Sequence, residues 1–312
     1  MLSCMDKMLH HEVHRCEGSD EWVVLIHGIG GDIGTWIAQT RVFRRHFNVL
    51  LLDMPGHGKS FVADDRVPPA YTDEMFVEAT AEVMDSLGIE KAHFVSISLG
   101  SSIVYALVHL APERMTSAVF GGGVCYVKGL WRLIFNTTIF LGRNAPWLFS
   151  RKLLYKFICR AVMPRKAQAK SRKRYFEAAQ QLSIKNFWAW IENTNCHLQD
   201  ETLQLFAQDF NRERIPSFWM SGSMDYVCRP GVERYVKELE FGEYFLSENV
   251  GHVVNIDGWT VFNSEVIAWL QNLTSEGSQS DSAGDLPRSE VDLSGSEEEA
   301  ADLEVDPSEP AS

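Results

Sequence analysis

The chain has 312 residues, 45% of them hydrophobic and 11% aromatic, which is enough apolar material for a sizeable core. No apolar run reaches the roughly 18 residues that cross a bilayer, and no basic start followed by an apolar core marks a secretory leader. Six cysteines (Cys4, Cys16, Cys125, Cys159, Cys196 and Cys228) lack any C-x-x-C spacing and read as reduced thiols, so the expected location is the cytoplasm. The net charge of −13 is concentrated at one end: from Ser275 to Ser312 there are twelve acids and one base, leaving the body nearly neutral.

Taken in chain order, His10, His11 and His14 open the sequence as a solvated lead-in, with a metal site as the sharper alternative. Residues 23–26 (VVLI) form a short apolar run suited to a strand buried on both faces, and it ends in the glycine-rich turn His27-Gly28-Ile29-Gly30-Gly31. Residues 49–52 (VLLL) repeat the pattern, closed by Asp53-Met54-Pro55-Gly56-His57-Gly58-Lys59-Ser60. Over 72–87 the residues Met75, Phe76, Ala79, Val83, Met84 and Leu87 recur at helical spacing. A β-branched run then breaks at Ser98, with small residues two before and two after it, Ser96 and Gly100. A serine delivered at a sharp strand-to-helix turn needs small neighbours at those positions, because strand and helix nearly touch there.

Strand, glycine turn, strand, helix, strand and serine turn follow one another in the order and at the intervals of the α/β-hydrolase superfamily, which the chain resembles through HGIGG, DMPGHGKS and SISLG. Ser96 stands where the usual G-x-S-x-G has glycine. The resemblance implies an acid and then a histidine on later strands. Asp225, three residues after Gly222, resembles the acid loop, and Asn249-Val-Gly-His252 resembles the histidine loop. The implied fold is an eight-stranded, mostly parallel sheet flanked by helices and carrying a helical cap. Its implied segments are core at 1–123 and 213–273, cap at 124–212 and a disordered acidic tail at 274–312.

The resemblance implies the chemistry residue by residue. Ser98 is the nucleophile, His252 the general base and then acid, and Asp225 its orienting carboxylate. The backbone N–H groups of Ile29 and Leu99 form the oxyanion hole. No metal or organic cofactor is needed. The expected activity is hydrolysis of a carboxylic ester through an acyl-enzyme. The same residues serve thioester, amide, lactone or carbon–carbon cleavage, and a catalytically silent binding protein is the alternative from another class.

The Gly58-Lys59-Ser60 end of a phosphate loop is discounted because Asp53 stands where that motif needs glycine. Serine at 98, rather than Asp or Cys, sets the chain apart from the dehalogenase, epoxide hydrolase and dienelactone hydrolase branches.

The insertion is the most individual part. Between Cys125 and Phe176 there are thirteen bases and no acid, interleaved with bulky apolar residues. Its apolar face is expected to line an acyl pocket, with Trp131, Phe135, Trp147, Trp188 and Trp190 as candidates. The basic surface has three readings: a solvated helix face, a peripheral contact with an anionic membrane, or a seat for the acidic tail. The expected partner is a small ester or lipid. Nucleic acid is not expected, since no recognition motif accompanies the bases.

Overall fold

The apolar runs near the N-terminus become neighbouring strands with no solvent on either face. The computed structural model describes residues 8–127, 129–144, 173, 177–179 and 181–277. In chain order the first half contains β1 (His11–His14), β2 (Trp22–Ile26), α1 (Ile37–Phe43), β3 (Asn48–Leu52), α2 (Asp73–Ser86), β4 (Ala92–Ile97), α3 (Ser101–Leu110) and β5 (Met115–Gly121). Every residue of β2, β3 and β4 is buried, as a central parallel sheet covered by helices on both faces requires. Helix α2 starts at Thr72, whose hydroxyl accepts the N–H of Met75, and Asp73 and Glu74 in its first turn suit the positive end of the helix dipole.

The second half contains α4 (Gly129–Asn144), α5 (Ile184–His197), α6 (Asp200–Arg212), β6 (Ser217–Gly222), α7 (Arg229–Tyr235), β7 (Gly242–Ser247), α8 (Val254–Asp257) and α9 (Trp259–Gly277). The sheet order is β1-β3-β2-β4-β5-β6-β7, antiparallel at the β1–β3 edge and parallel elsewhere. The described sheet therefore has seven strands, not the expected eight. A single strand, β1, precedes β2 among the described residues, and a turn at Glu17 and Gly18 lies in the short stretch between them. The histidine-rich lead-in is thus part of the sheet, with His11 opposite Leu52 and His14 opposite Val49.

Strand order reverses between β2 and β4, so the loops leaving their carboxyl ends open a crevice where open α/β sheets bind ligands. Behind it, an aromatic column ties the layers together. Trp219 of β6 stacks on Phe120 of β5 at 3.8 Å, Phe120 on Tyr105 of α3 at 5.6 Å, and Tyr105 on Phe206 of α6 at 5.0 Å. Each such pair contributes about 0.5–1.5 kcal/mol beyond burial. Through this column α6 packs on α3, and the chain then enters β6.

Residues 1–272 form one compact unit and residues 273–312 a second, of which the end of α9 is described. No described helix is long and apolar enough to cross a membrane. Trp147, most of the basic run, Cys4, Cys159 and the acidic tail beyond residue 277 lie outside the described residues.

Candidate active site

The run ending β4 turns at Ser98 into a left-handed backbone, φ +53°, a strained conformation for a residue with a side chain. Three features hold it there. Gly100 lies so close to the end of the neighbouring strand β2 that an added Cβ would stand 2.8 Å from the carbonyl oxygen of His27 and 2.9 Å from that of Ile26. The Ser101 hydroxyl donates to the Ser98 carbonyl at 2.6 Å. Ser96, where glycine is usual, is fully buried and its hydroxyl donates to the Val119 carbonyl of β5 at 3.2 Å, so the extra side chain has a partner instead of crowding the turn. Directly beyond, α3 presents its N-terminal dipole end to the space beside Ser98.

Ser98 Oγ lies 2.7 Å from His252 Nε2, and His252 Nδ1 lies 2.7 Å from Asp225 Oδ2. A carboxylate only accepts, so Nδ1–H donates to Asp225 and Nε2 is left to accept the serine hydroxyl. The other carboxylate oxygen, Oδ1, accepts the backbone N–H groups of Val227 at 3.2 Å and Cys228 at 3.0 Å. Asp225 and His252 are both almost wholly buried. Burial opposes the charged form of each, yet their mutual attraction and hydrogen bonds outweigh it. Asp225 is held below the usual aspartate range, and the His252 pKa is raised well above that of an ordinary histidine.

Opposite Ser98, the glycine-rich turn is fastened from below. Asp53 Oδ1 accepts the N–H of Ile33 at 2.8 Å, and its Oδ2 accepts the N–H of Lys59 and meets His10 Nδ1, each at 2.9 Å. The Gly58-Lys59-Ser60 turn therefore wraps around an aspartate, which fills the place a phosphate would need. His57 Nε2 accepts the N–H of Gly30 at 3.0 Å, and His27 Nε2 accepts that of Met54 at 3.1 Å. Burial pushes both imidazoles toward the neutral form, His57 furthest.

A cavity of about 200 Å³ opens on Ser98 and His252. Ile29 and Leu99 border it, beside the serine. Of the aromatic candidates, Trp131, Phe135 and Trp188 line it. Trp190 does not: it packs against His57, Tyr71 and Phe76, 5.1, 5.8 and 4.6 Å away, and donates its indole N–H to Pro55 at 3.0 Å. Residues two apart on a helix face different ways, so Trp188 and Trp190 of α5 cannot share a wall. Sequence reading missed Phe187, Ile191, Thr194 and Leu198, although their spacing along α5 marks the same stripe as Trp188. It also missed Cys228, one helical turn beyond the acid, whose side chain reaches the cavity.

A family model described as the alpha/beta hydrolase fold matches residues 21–258. The (E)-2-((N-methylformamido)methylene)succinate hydrolase of Acinetobacter baylyi is 22% identical over 267 residues, covering 82% of this chain and 92% of that one. A dihydrolipoyllysine-residue acetyltransferase component of an acetoin cleaving system from Pseudomonas putida is 36% identical over 95 residues. That match covers 30% of this chain and spans 25% of the relative's length. The solved structure of an enol-lactonase from Burkholderia xenovorans is similar with a TM-score of 0.69 at 19% identity, over 84% of this chain and 96% of that one, a likeness of fold alone.

Proposed function

Because the chain belongs to the family of the alpha/beta hydrolase fold, matched over residues 21–258, we propose that it is a serine hydrolase cleaving a carboxylic ester with a neutral, apolar acyl group. One observation carries the reading: the unbroken hydrogen-bond chain from Asp225 through His252 to Ser98, at 2.7 Å per link, ends on an apolar cavity.

In the proposed reaction, Ser98 Oγ attacks the ester carbonyl as His252 Nε2 takes its proton. The imidazolium then returns that proton to the departing alcohol. The backbone N–H groups of Ile29 and Leu99 receive the oxyanion, each such donor typically contributing about 3 kcal/mol in the transition state. Water, activated by the same imidazole, releases the acid from the acyl-enzyme.

The cavity points to the acyl group. A pocket of about 150 Å³ is known to hold a benzene ring, so about 200 Å³ suits a phenyl group or a chain of roughly six to eight carbons. No lysine or arginine stands among its described lining residues, which weighs against an anionic acyl group such as a succinate. Residues 124–212 act as the cap in this reading.

The test is fluorophosphonate labelling beside hydrolysis of p-nitrophenyl esters from acetate to palmitate, with Ser98→Ala as control. The expected result is Ser98-dependent labelling and a rate peak at hexanoate to octanoate. A protein that neither labels nor turns over any ester sinks the reading.

A further inference from the structure

Cys228 has no role in the acyl transfer proposed above, yet it touches the residues that do. Its backbone N–H donates to the Asp225 carboxylate, and the residue is buried at the border of the cavity, with its sulfur within 4.8 Å of a ligand atom of His252. The other described cysteines stand apart from this site: Cys125 is bonded to the Tyr105 hydroxyl, Cys196 is exposed and Cys16 is half-buried. One ligand atom from each of Asp225, Cys228 and His252 lies within 4.8 Å of the other two, and among the described residues this is the one such group of three.

The donors are a carboxylate oxygen, an imidazole nitrogen and a sulfur. Zinc bonds such atoms at about 2.0–2.3 Å, so donors around a tetrahedral ion stand roughly 3.3–3.8 Å apart. No pair of donors needs to close by more than about 1.5 Å, and where Asp225 Oδ2 and His252 Nδ1 both serve, their 2.7 Å separation opens by about 0.6 Å as the ion replaces the shared proton. The sulfur and imidazole favour zinc or cadmium over magnesium or calcium. Carboxylate and thiolate together balance the two charges of the ion, so the buried complex is neutral and avoids the cost of an unpaired interior charge. Cys228 and His252 border the cavity, which is the way in for the ion.

We propose that Asp225, Cys228 and His252 bind a thiophilic divalent cation of the zinc class, and that the bound ion switches the hydrolase off. As the metal–sulfur bond forms, the thiol proton leaves to solvent. An ion on Nδ1 moves the imidazole proton to Nε2, whereas an ion on Nε2 uses that lone pair directly. Either way Nε2 no longer accepts the proton of Ser98. The inhibition rests on the serine-hydrolase reading, while the binding does not.

The experiment titrates cadmium into the chelator-treated full chain. It follows the ultraviolet charge-transfer band of a cadmium–thiolate and, separately, the inhibition of p-nitrophenyl ester hydrolysis by zinc. The expected result is a band saturating at one equivalent that disappears in Cys228→Ser and in Cys228→Val and weakens in His252→Ala. The half-inhibitory zinc concentration, measured against each variant's own uninhibited rate, rises about tenfold or more when Cys228 is replaced. Two cysteine variants are used, with thermal unfolding of each, so that one misfolded protein does not decide the matter. Absence of any band overturns the site, as does a band that persists without Cys228. A Cys228-dependent band in a protein that hydrolyses no ester keeps the metal site and overturns the switch together with the hydrolase reading.

Discussion

His57 accepts the backbone N–H of Gly30 through Nε2 at 3.0 Å, and its Nδ1 donates to the Pro55 carbonyl at 3.1 Å. That pattern requires the neutral ring, because a protonated imidazole has no lone pair for Gly30. His27 is in the same position, with its Nδ1 donating to Gly28 at 2.8 Å, and the two rings stand 5.0 Å apart. Desolvation is the largest cause of the low pKa of each, and the neighbouring ring adds to it for His57. The loop carrying Ile29 is therefore held by two buried bases that resist protonation.

Acid should loosen this fold in a defined window. As pH falls below about 6.5, the ordinary histidine value, the unfolded chain takes up protons that folded His27 and His57 refuse, so stability falls. The slope approaches roughly 1.4 kcal/mol per pH unit for each histidine. His252 has the opposite sign: its raised folded pKa gives a contribution fully present below 6.5 and lost as pH rises through that folded value. Thermal unfolding midpoints should fall on both flanks, and His57→Phe should flatten the acid one. An unchanged acid slope in that variant would contradict the assignment.

In the proposed reaction, activity depends on the neutral form of His252, which must accept the Ser98 proton. With that pKa raised above 6.5, kcat/KM should climb through an acid limb centred above the ordinary histidine value. Asp225→Asn removes the attracting charge, so the limb should move down in pH while the rate drops by roughly three to four orders of magnitude. A pH-rate profile of both proteins on one ester checks the direction.

Gly122 has φ +53°, and a Cβ placed there falls on the carbonyl oxygen of His252. Gly122→Ala thus meets both backbone strain and a collision with the base. We expect a loss of about 1–3 kcal/mol in stability. Turnover should drop beyond what the unfolded fraction accounts for, measured by active-site titration on the folded protein.

Trp188 and Trp190 should separate specificity from stability. Trp190 is fully buried against His57, Tyr71 and Phe76, so Trp190→Ala should cost about 3–5 kcal/mol. Trp188→Ala enlarges the cavity and should shift the preferred ester toward longer chains, with less effect on the unfolding midpoint. Equal shifts in stability with no change in chain-length preference would reverse the assignment of the two rings.

Much of this architecture is legible in the amino-acid order because the central strands are buried on both faces. Residues 23–26 and 49–52 are continuous apolar runs that fit little else, and the serine turn needs small residues at 96 and 100. The edge strand His11–His14 is hidden in the sequence, since a half-exposed HEVH has no apolar signature and its partner, residues 49–52, lies far along the chain. Two-residue spacing on α5 misplaced Trp190, because the turn on which the helix starts, at Ser183, decides which ring meets the cavity. The neighbourhood of Cys228 could not be read either. It arises where the loops after β6 and β7 converge, and Asp225 and His252 are 27 residues apart.

The bond between Ser98 and His252 joins positions 154 residues apart, and the base follows the last strand of the sheet. During synthesis the serine is made long before its proton acceptor exists. A nascent or truncated chain lacking β7 therefore holds an ordinary alcohol, and reactivity appears only as the final sheet pairing closes. If the proposed hydrolase reading holds, turnover is thus a gauge of completed folding, and a half-made molecule has no activated serine with which to react.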